Sequence, residues 1–209
     1  SAGLYSDFSI TNNLGCTSGI YSGSIQLSDP PSQSPPINLA AIPNPACLGT
    51  TVLLSVSNEP GATFSWSASS PAAGLISGSG NTASLLPTLP AIYSVSVTKN
   101  VAGCVSSASV ITITINDVPQ TPNQNSFSTI NPTCANSNGV ISISGVFPNQ
   151  NYLINFMFNS NPASQNVLSN GSGTLILLGL SGGVYSDFSL TNSSGCTSSV
   201  YPGPVVLND

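Results

Sequence analysis

The chain has 209 residues, and only 3% of them are charged: Lys99 stands alone against Asp7, Asp29, Glu59, Asp117, Asp187 and Asp209. An ordinary soluble domain is roughly 25% charged; here 39 Ser, 16 Thr and 22 Asn take that place on the surface. With no His and no Arg, histidine acid–base chemistry, His-ligated metals and backbone contacts to nucleic acid are excluded.

Residues 1–29 return, without a gap, as residues 181–209, with 17 of the 29 positions identical. A weaker copy lies between them. Tyr5, Cys16 and Asp29 have the same spacings as Tyr93, Cys104 and Asp117 and as Tyr185, Cys196 and Asp209. The chain is thus built from related units of about 90 residues with a 180-residue period, the signature of a repeat architecture. Residues 1–29 are expected to be the terminal hairpin of a unit that is either truncated or completed in trans by a neighbouring subunit.

Residues 30–118 form the first complete unit. It is entered through Pro30, Pro31, Pro35 and Pro36, a stiff joint. Val52, Leu54 and Val56 alternate with Leu53 and Ser55, whereas Phe64 and Trp66, then Tyr93, Val95 and Val97, then Ile111, Ile113 and Ile115 alternate with Ser or Thr. Period-2 alternation separated by Asn58-Glu59-Pro60-Gly61, Pro71, the turn at Gly78 and Pro87 to Pro90 predicts short strands of a β-sandwich, with Trp66 in its core. No useful helical periodicity occurs.

Residues 119–209 form the second unit, after a shorter proline joint at Pro119 and Pro122. Ile141 and Ile143, the apolar run 152–158 and the run 174–178 predict strands, and 184–191 is expected to pair with 199–207. Val184, Phe188 and Leu190 lie in the opposite phase to Tyr185. Tyr185 and Asp187, repeated by Tyr5 and Asp7, are therefore expected to form an exposed stripe, either a glycan-binding surface or a contact between domains.

Each complete unit has an early and a late cysteine. The expected bridges are Cys47–Cys104 and Cys134–Cys196, with the partner of Cys16 outside the sequence; such bonds place the chain in an oxidising compartment. Asp29, Asp117 and Asp209 close their units. A single carboxylate per junction is a weak calcium site, and strand capping is the simpler role. No catalytic or metal-ligating constellation is found, so neither enzyme activity nor a cofactor is expected. Asn170-Gly171-Ser172 and Asn192-Ser193-Ser194 match glycosylation sequons.

The segment ACLGTTVLLSVSNEPGATFSWSAS, followed by AIYSVSVTKNVAGCVSSASVITITI, resembles the immunoglobulin-like, PKD-like repeats of giant secreted proteins of Bacteroidetes. The segment PTCANSNGVISISG, with GLSGGVYSDFSLTNSSGC, is similar to repeats of the gliding-motility adhesin SprB. These resemblances imply an all-β chain of tandem immunoglobulin-like β-sandwich domains with one disulfide each. They imply a secreted, cell-surface role as the structural repeat unit of a filament or adhesin stalk, with neighbouring repeats or copies of itself as partners. A carbohydrate-binding or host-adhesion module, with surface glycans as ligands, is the alternative.

Overall fold

A computed structural model describes all residues except Ser1, Ala2, Asp29, Pro30, Pro31, Ser77, Gly78, Ser79, Ala135 and Asp209. The predicted turn at Gly78 and the joint at Pro30 and Pro31 therefore lie outside the described residues, as do Asp29 and Asp209. The chain is all-β, and no helix among the described residues is long and apolar enough to cross a membrane.

A separate hairpin comes first, β1 (Gly3–Tyr5) paired with β2 (Ile25–Leu27). The first sandwich contains β3 (Ala40–Ile42), β4 (Ala46–Cys47), β5 (Val52–Ser55), β6 (Ala62–Ala68), β7 (Leu75–Ile76), β8 (Thr82–Leu85), β9 (Ala91–Val101), β10 (Cys104–Val105) and β11 (Ser109–Asn116). One sheet has the order β3-β5-β8-β7. In the other, β9 lies between β6 on one side and β10 and β11 on the other, and β4 runs parallel to the end of β11. This is an immunoglobulin-like arrangement, a four-stranded sheet facing a five-stranded one, with β3 and β4 at the start of the unit divided between the sheets.

The predicted alternation fills the core. Val52, Leu54, Tyr93, Val95, Val97, Ile113 and Ile115 are buried, with Trp66 among them. The Trp66 indole N–H donates to the Gly80 carbonyl at 3.2 Å, so its polar edge is satisfied. Lys99 continues the inward phase of β9 and is itself buried, its ammonium paired with Glu59 and donating to Ser34. The end of the proline joint is tied down as well: Pro36 is buried, and Ser109 Oγ donates to its carbonyl.

The second sandwich contains β12 (Phe127–Ile130), β13 (Gly139–Ser144), β14 (Asn151–Phe158), β15 (Asn161–Leu168), β16 (Thr174–Leu180), β17 (Gly183–Asn192) and β18 (Val205–Leu207). Sheet β12-β13-β16 packs on sheet β15-β14-β17-β18. The expected pairing of 184–191 with 199–207 appears as the β17–β18 ladder, extended by bridges from Phe188 to Tyr201 and from Thr191 to Thr197.

The expected Tyr185 stripe is corrected by the structure. Tyr185 is buried at 2% exposure, and so are its opposite-phase neighbours Phe188 and Leu190 at 0%. Between Ser186 and Ser189, β17 holds one more residue than the facing stretch of β14, a bulge that resets the alternation. Asp187 occupies it with φ 56°, a left-handed conformation that Asp tolerates better than most residues, and Ser186 Oγ donates to its carboxylate at 2.9 Å. Asp187 is exposed, whereas Tyr185 packs against Phe156 and Phe158 with ring centroids 5.8 and 4.8 Å away. Its hydroxyl donates to the Ser181 carbonyl, as Tyr93 does to Leu89, both at 2.8 Å. The tyrosines are thus corner posts of the two sandwiches.

Two predictions follow from β17. Asp187→Val forces a β-branched residue into the left-handed region and should cost about 1–2 kcal/mol in denaturant unfolding, whereas Asp187→Gly should be near neutral. Burial also raises the Tyr185 phenol above its ordinary value of 10.0. The unfolded chain therefore ionises first, so this contribution is complete below pH 10 and is lost as pH rises through the folded-state value. Tyr185→Phe should flatten the alkaline decline in melting temperature.

Candidate functional site: the joint between the sandwiches

The two expected intra-unit bridges do not form. Cys47 is bonded to Cys196, with a Cα–Cα distance of 5.6 Å, while Cys104 and Cys134 are free thiols and Cys16 is free and exposed. The reason is the length of a sandwich. Cys47 lies beside Asn116, at the end of β11 that pairs with Ala91, whereas Cys104 pairs with Val101 at the other end of β9. Ten residues of extended chain separate these levels, about 30 Å, and disulfide Cα atoms lie within about 7 Å of each other.

The second sandwich repeats this polarity. Cys134 follows Asn131, whose side-chain oxygen accepts from the Asn208 N–H just beyond β18, at the pole where Gly183 pairs with Leu207. Cys196 lies beside Asn192, at the far end of β17. In both units the early cysteine marks the pole where the unit's chain exits, and the late cysteine marks the opposite pole. A bridge between consecutive units is then the short connection.

The turn that presents Cys196 is built by Asn192. Its side-chain oxygen accepts from the Ser194 N–H at 3.1 Å and the Cys196 N–H at 3.0 Å. Its backbone N–H donates to the Cys196 carbonyl, and Gly195 closes the turn with φ 80°. The remaining amide group reaches across to the other sandwich, where Asn192 Nδ2 donates to the Asp117 carbonyl at 2.9 Å. The sequon at Asn192 is therefore occupied by the joint itself. Asp117 caps the strand end as expected, its carboxylate accepting from the Val118 N–H at 2.9 Å. Pro119 and Pro122 are buried, so the second proline joint is partly folded in.

The same turn occurs at Asn12, and a tighter hairpin takes the corresponding place at Asn100, where Asn100 pairs with Val105 and Ala102 and Gly103 both have positive φ. Asn12 Oδ1 accepts from the Leu14 and Cys16 N–H groups, both at 3.0 Å, and Asn100 Oδ1 accepts from the Gly103 N–H at 2.9 Å. Gly15 and Gly103 have φ 82° and 86°. All three turns read Asn-x-x-Gly-Cys. The Asn four residues before each late cysteine is the sequence signal for the joint, which the Gly-Cys pair alone does not carry.

Residues 3–28 keep the hairpin of 183–208 without its sandwich. Phe8 and Tyr21 exchange backbone hydrogen bonds as Phe188 and Tyr201 do, and Asp7 has φ 59°. Yet Phe8 is 40% and Ile10 78% exposed, where their counterparts Phe188 and Leu190 are both 0% exposed. Tyr5, Tyr21, Ile25 and Leu27 are exposed too. Covering this apolar face would contribute on the order of 10 kcal/mol at roughly 1.5–3 kcal/mol per large side chain.

Among the described residues there is no cluster of three or more His, Cys, Asp or Glu able to hold a metal. A shallow groove at the joint is lined by Asp117, Pro119, Val146, Phe147 and Tyr152. Burial raises the Tyr152 phenol, and the nearby Asp117 charge adds to this.

No protein-family model matches the chain, and no curated protein matches it. Solved structures similar in fold include the FN1–FN3 domains of chicken CNTN1, at 12% identity and TM-score 0.40, covering 96% of this chain and 76% of that one. Murine CEACAM1b matches at 16% identity and TM-score 0.46, covering 81% of this chain and 98% of the other. A two-domain fibronectin type III segment of chicken tenascin matches at 16% and 0.38, covering 82% and 98%. The likeness is one of architecture alone.

Removing the Asn192 side chain should loosen the joint. Asn192→Ala leaves the Ser194 and Cys196 N–H groups and the Asp117 carbonyl without this partner. The variant should lose about 1–3 kcal/mol in chemical denaturation, and its Cys47–Cys196 bond should be reduced by dithiothreitol more readily than in the parent chain.

Proposed function

We propose that this chain is a structural repeat segment of an extracellular, cell-surface filament or adhesin stalk in which β-sandwiches are joined end to end. The observation that carries this reading is the Cys47–Cys196 bond, a covalent link from the exit pole of one sandwich to the entry pole of the next. A bond of this kind resists separation of the units rather than shaping a pocket. It also favours an oxidising compartment outside the cytoplasm. In the chain-entropy model, closing a loop of 149 residues is worth on the order of 5 kcal/mol.

Two further features support the reading. The uncharged Ser/Thr/Asn surface suits a chain packed against copies of itself, because charge is what normally keeps protein molecules apart. The exposed apolar hairpin at residues 3–28 calls for the body of a sandwich like residues 119–180, which its counterpart 181–209 already completes within this chain. The alternative, a carbohydrate-binding module, has lost its aromatic platform, since Tyr185 is a core residue.

Electron microscopy of the protein purified from its native surface tests the proposal. Thin fibres should appear with an axial repeat of roughly 7–8 nm, the length of two sandwiches whose longest strands have about ten residues each. Dispersed, non-fibrous particles would sink it.

A further inference from the structure

The structure leaves three cysteines over, and each repeats a position that is bonded elsewhere in this same chain. Cys16 closes an Asn-x-x-Gly-Cys turn equivalent to the one that presents Cys196, and Cys104 closes a tighter hairpin of the same sequence motif. Cys134 is the early cysteine of its unit, as Cys47 is of the first. Cys104 lies at the entry pole of the first sandwich and Cys134 at the exit pole of the second, so within one copy they face away from the observed joint in opposite directions.

We propose that these thiols are half-bridges to adjacent copies of the same repeat, forming a disulfide ladder in which the late cysteine of every sandwich bonds the early cysteine of the sandwich before it. The inference rests on the end-to-end reading above. Cys104 pairs with the Cys134 equivalent of the preceding copy, and Cys134 with the Cys104 equivalent of the following one. Cys16 pairs with a Cys47 equivalent in the sandwich ahead of the one its hairpin completes.

The spacing supports this register. Cys47 and Cys196 are 149 residues apart. Moving Cys104 forward by the 180-residue period places it 150 residues after Cys134. The two kinds of joint, first sandwich to second and second to first, therefore close loops of nearly equal length, although the sandwiches differ in sheet arrangement. The exposed face of the hairpin points the same way. Its turn already holds Cys16 in the Cys196 conformation, and its apolar residues are those that the second sandwich buries.

Each bridge joins two thiols through a new S–S bond, with loss of two protons and two electrons. The electrons pass by thiol–disulfide exchange to an oxidised disulfide oxidoreductase, which leaves as its dithiol.

The test is a disulfide map of the assembled native protein. Free thiols are blocked with N-ethylmaleimide, the protein is denatured without reductant, and it is cut before Asp residues. Cleavage before Asp7, Asp29, Asp117, Asp187 and Asp209 isolates Cys16 in 7–28, Cys47 and Cys104 in 29–116, Cys134 in 117–186 and Cys196 in 187–208. The ladder requires 29–116 to be linked both to 187–208 and to 117–186, with no maleimide on Cys104 or Cys134. Cys104→Ser and Cys134→Ser should each abolish the link between 29–116 and 117–186 while keeping the Cys47–Cys196 link. On non-reducing gels, multimers that collapse on reduction identify copies in separate chains; unchanged mobility with the same fragment link identifies copies within one chain. Native fibres with Cys16, Cys104 and Cys134 all alkylated would overturn the ladder and leave the filament reading intact. Absence of fibres counts against the filament reading itself.

Discussion

A disulfide is a short tether, and the geometry of this molecule follows from placing short tethers on long bodies. Each sandwich is about 30 Å from pole to pole, and its two cysteines sit at opposite ends. No bond can close within a unit, and the one that forms, Cys47–Cys196, joins two units. The Cys47–Cys196 bond, the Asn192 amide reaching the Asp117 carbonyl and the buried Pro119 act at one place. The folding of each unit and the joining of units are thereby assigned to different residues, hydrophobic strands for the first and the turn cysteines for the second.

Much of the fold was legible because it is a matter of alternation. Val52 and Leu54, Tyr93 to Val97, Ile141 and Ile143, and Leu175 and Leu177 point inward as their period-2 pattern requires. The alternation misled at one place. Reading Tyr185 against Phe188 and Leu190 as two faces assumes an unbroken strand, and Asp187 breaks it. A phase change inside a strand is equally compatible with two exposed faces and with a bulge between two buried segments. Burial decides for the second, since exposing Tyr185 or Phe188 and Leu190 would strip the core of large side chains.

The cysteine pairing failed for a different reason. Pairing by unit treats a repeat as a closed object, but sequence distance says nothing about which pole a residue occupies. The pole becomes visible only when β4 is seen to run parallel to the end of β11 and the Asn-x-x-Gly-Cys turn to cap the far end of its strand. The turn itself is local enough to persist in residues 3–28 without any sandwich beneath it, down to the left-handed Asp7. What is encoded in a few residues survives in isolation, whereas what depends on two sheets does not.

The burial of Lys99 bears on resistance to proteolysis. It is the only Lys or Arg in 209 residues, and its side chain is held inside the first sandwich against Glu59 and Ser34. Proteases of trypsin-like specificity need a basic side chain free to enter a deep pocket, on a stretch of chain that can extend. This chain offers them one basic residue, and it is built into a strand that is paired with β6 at that position.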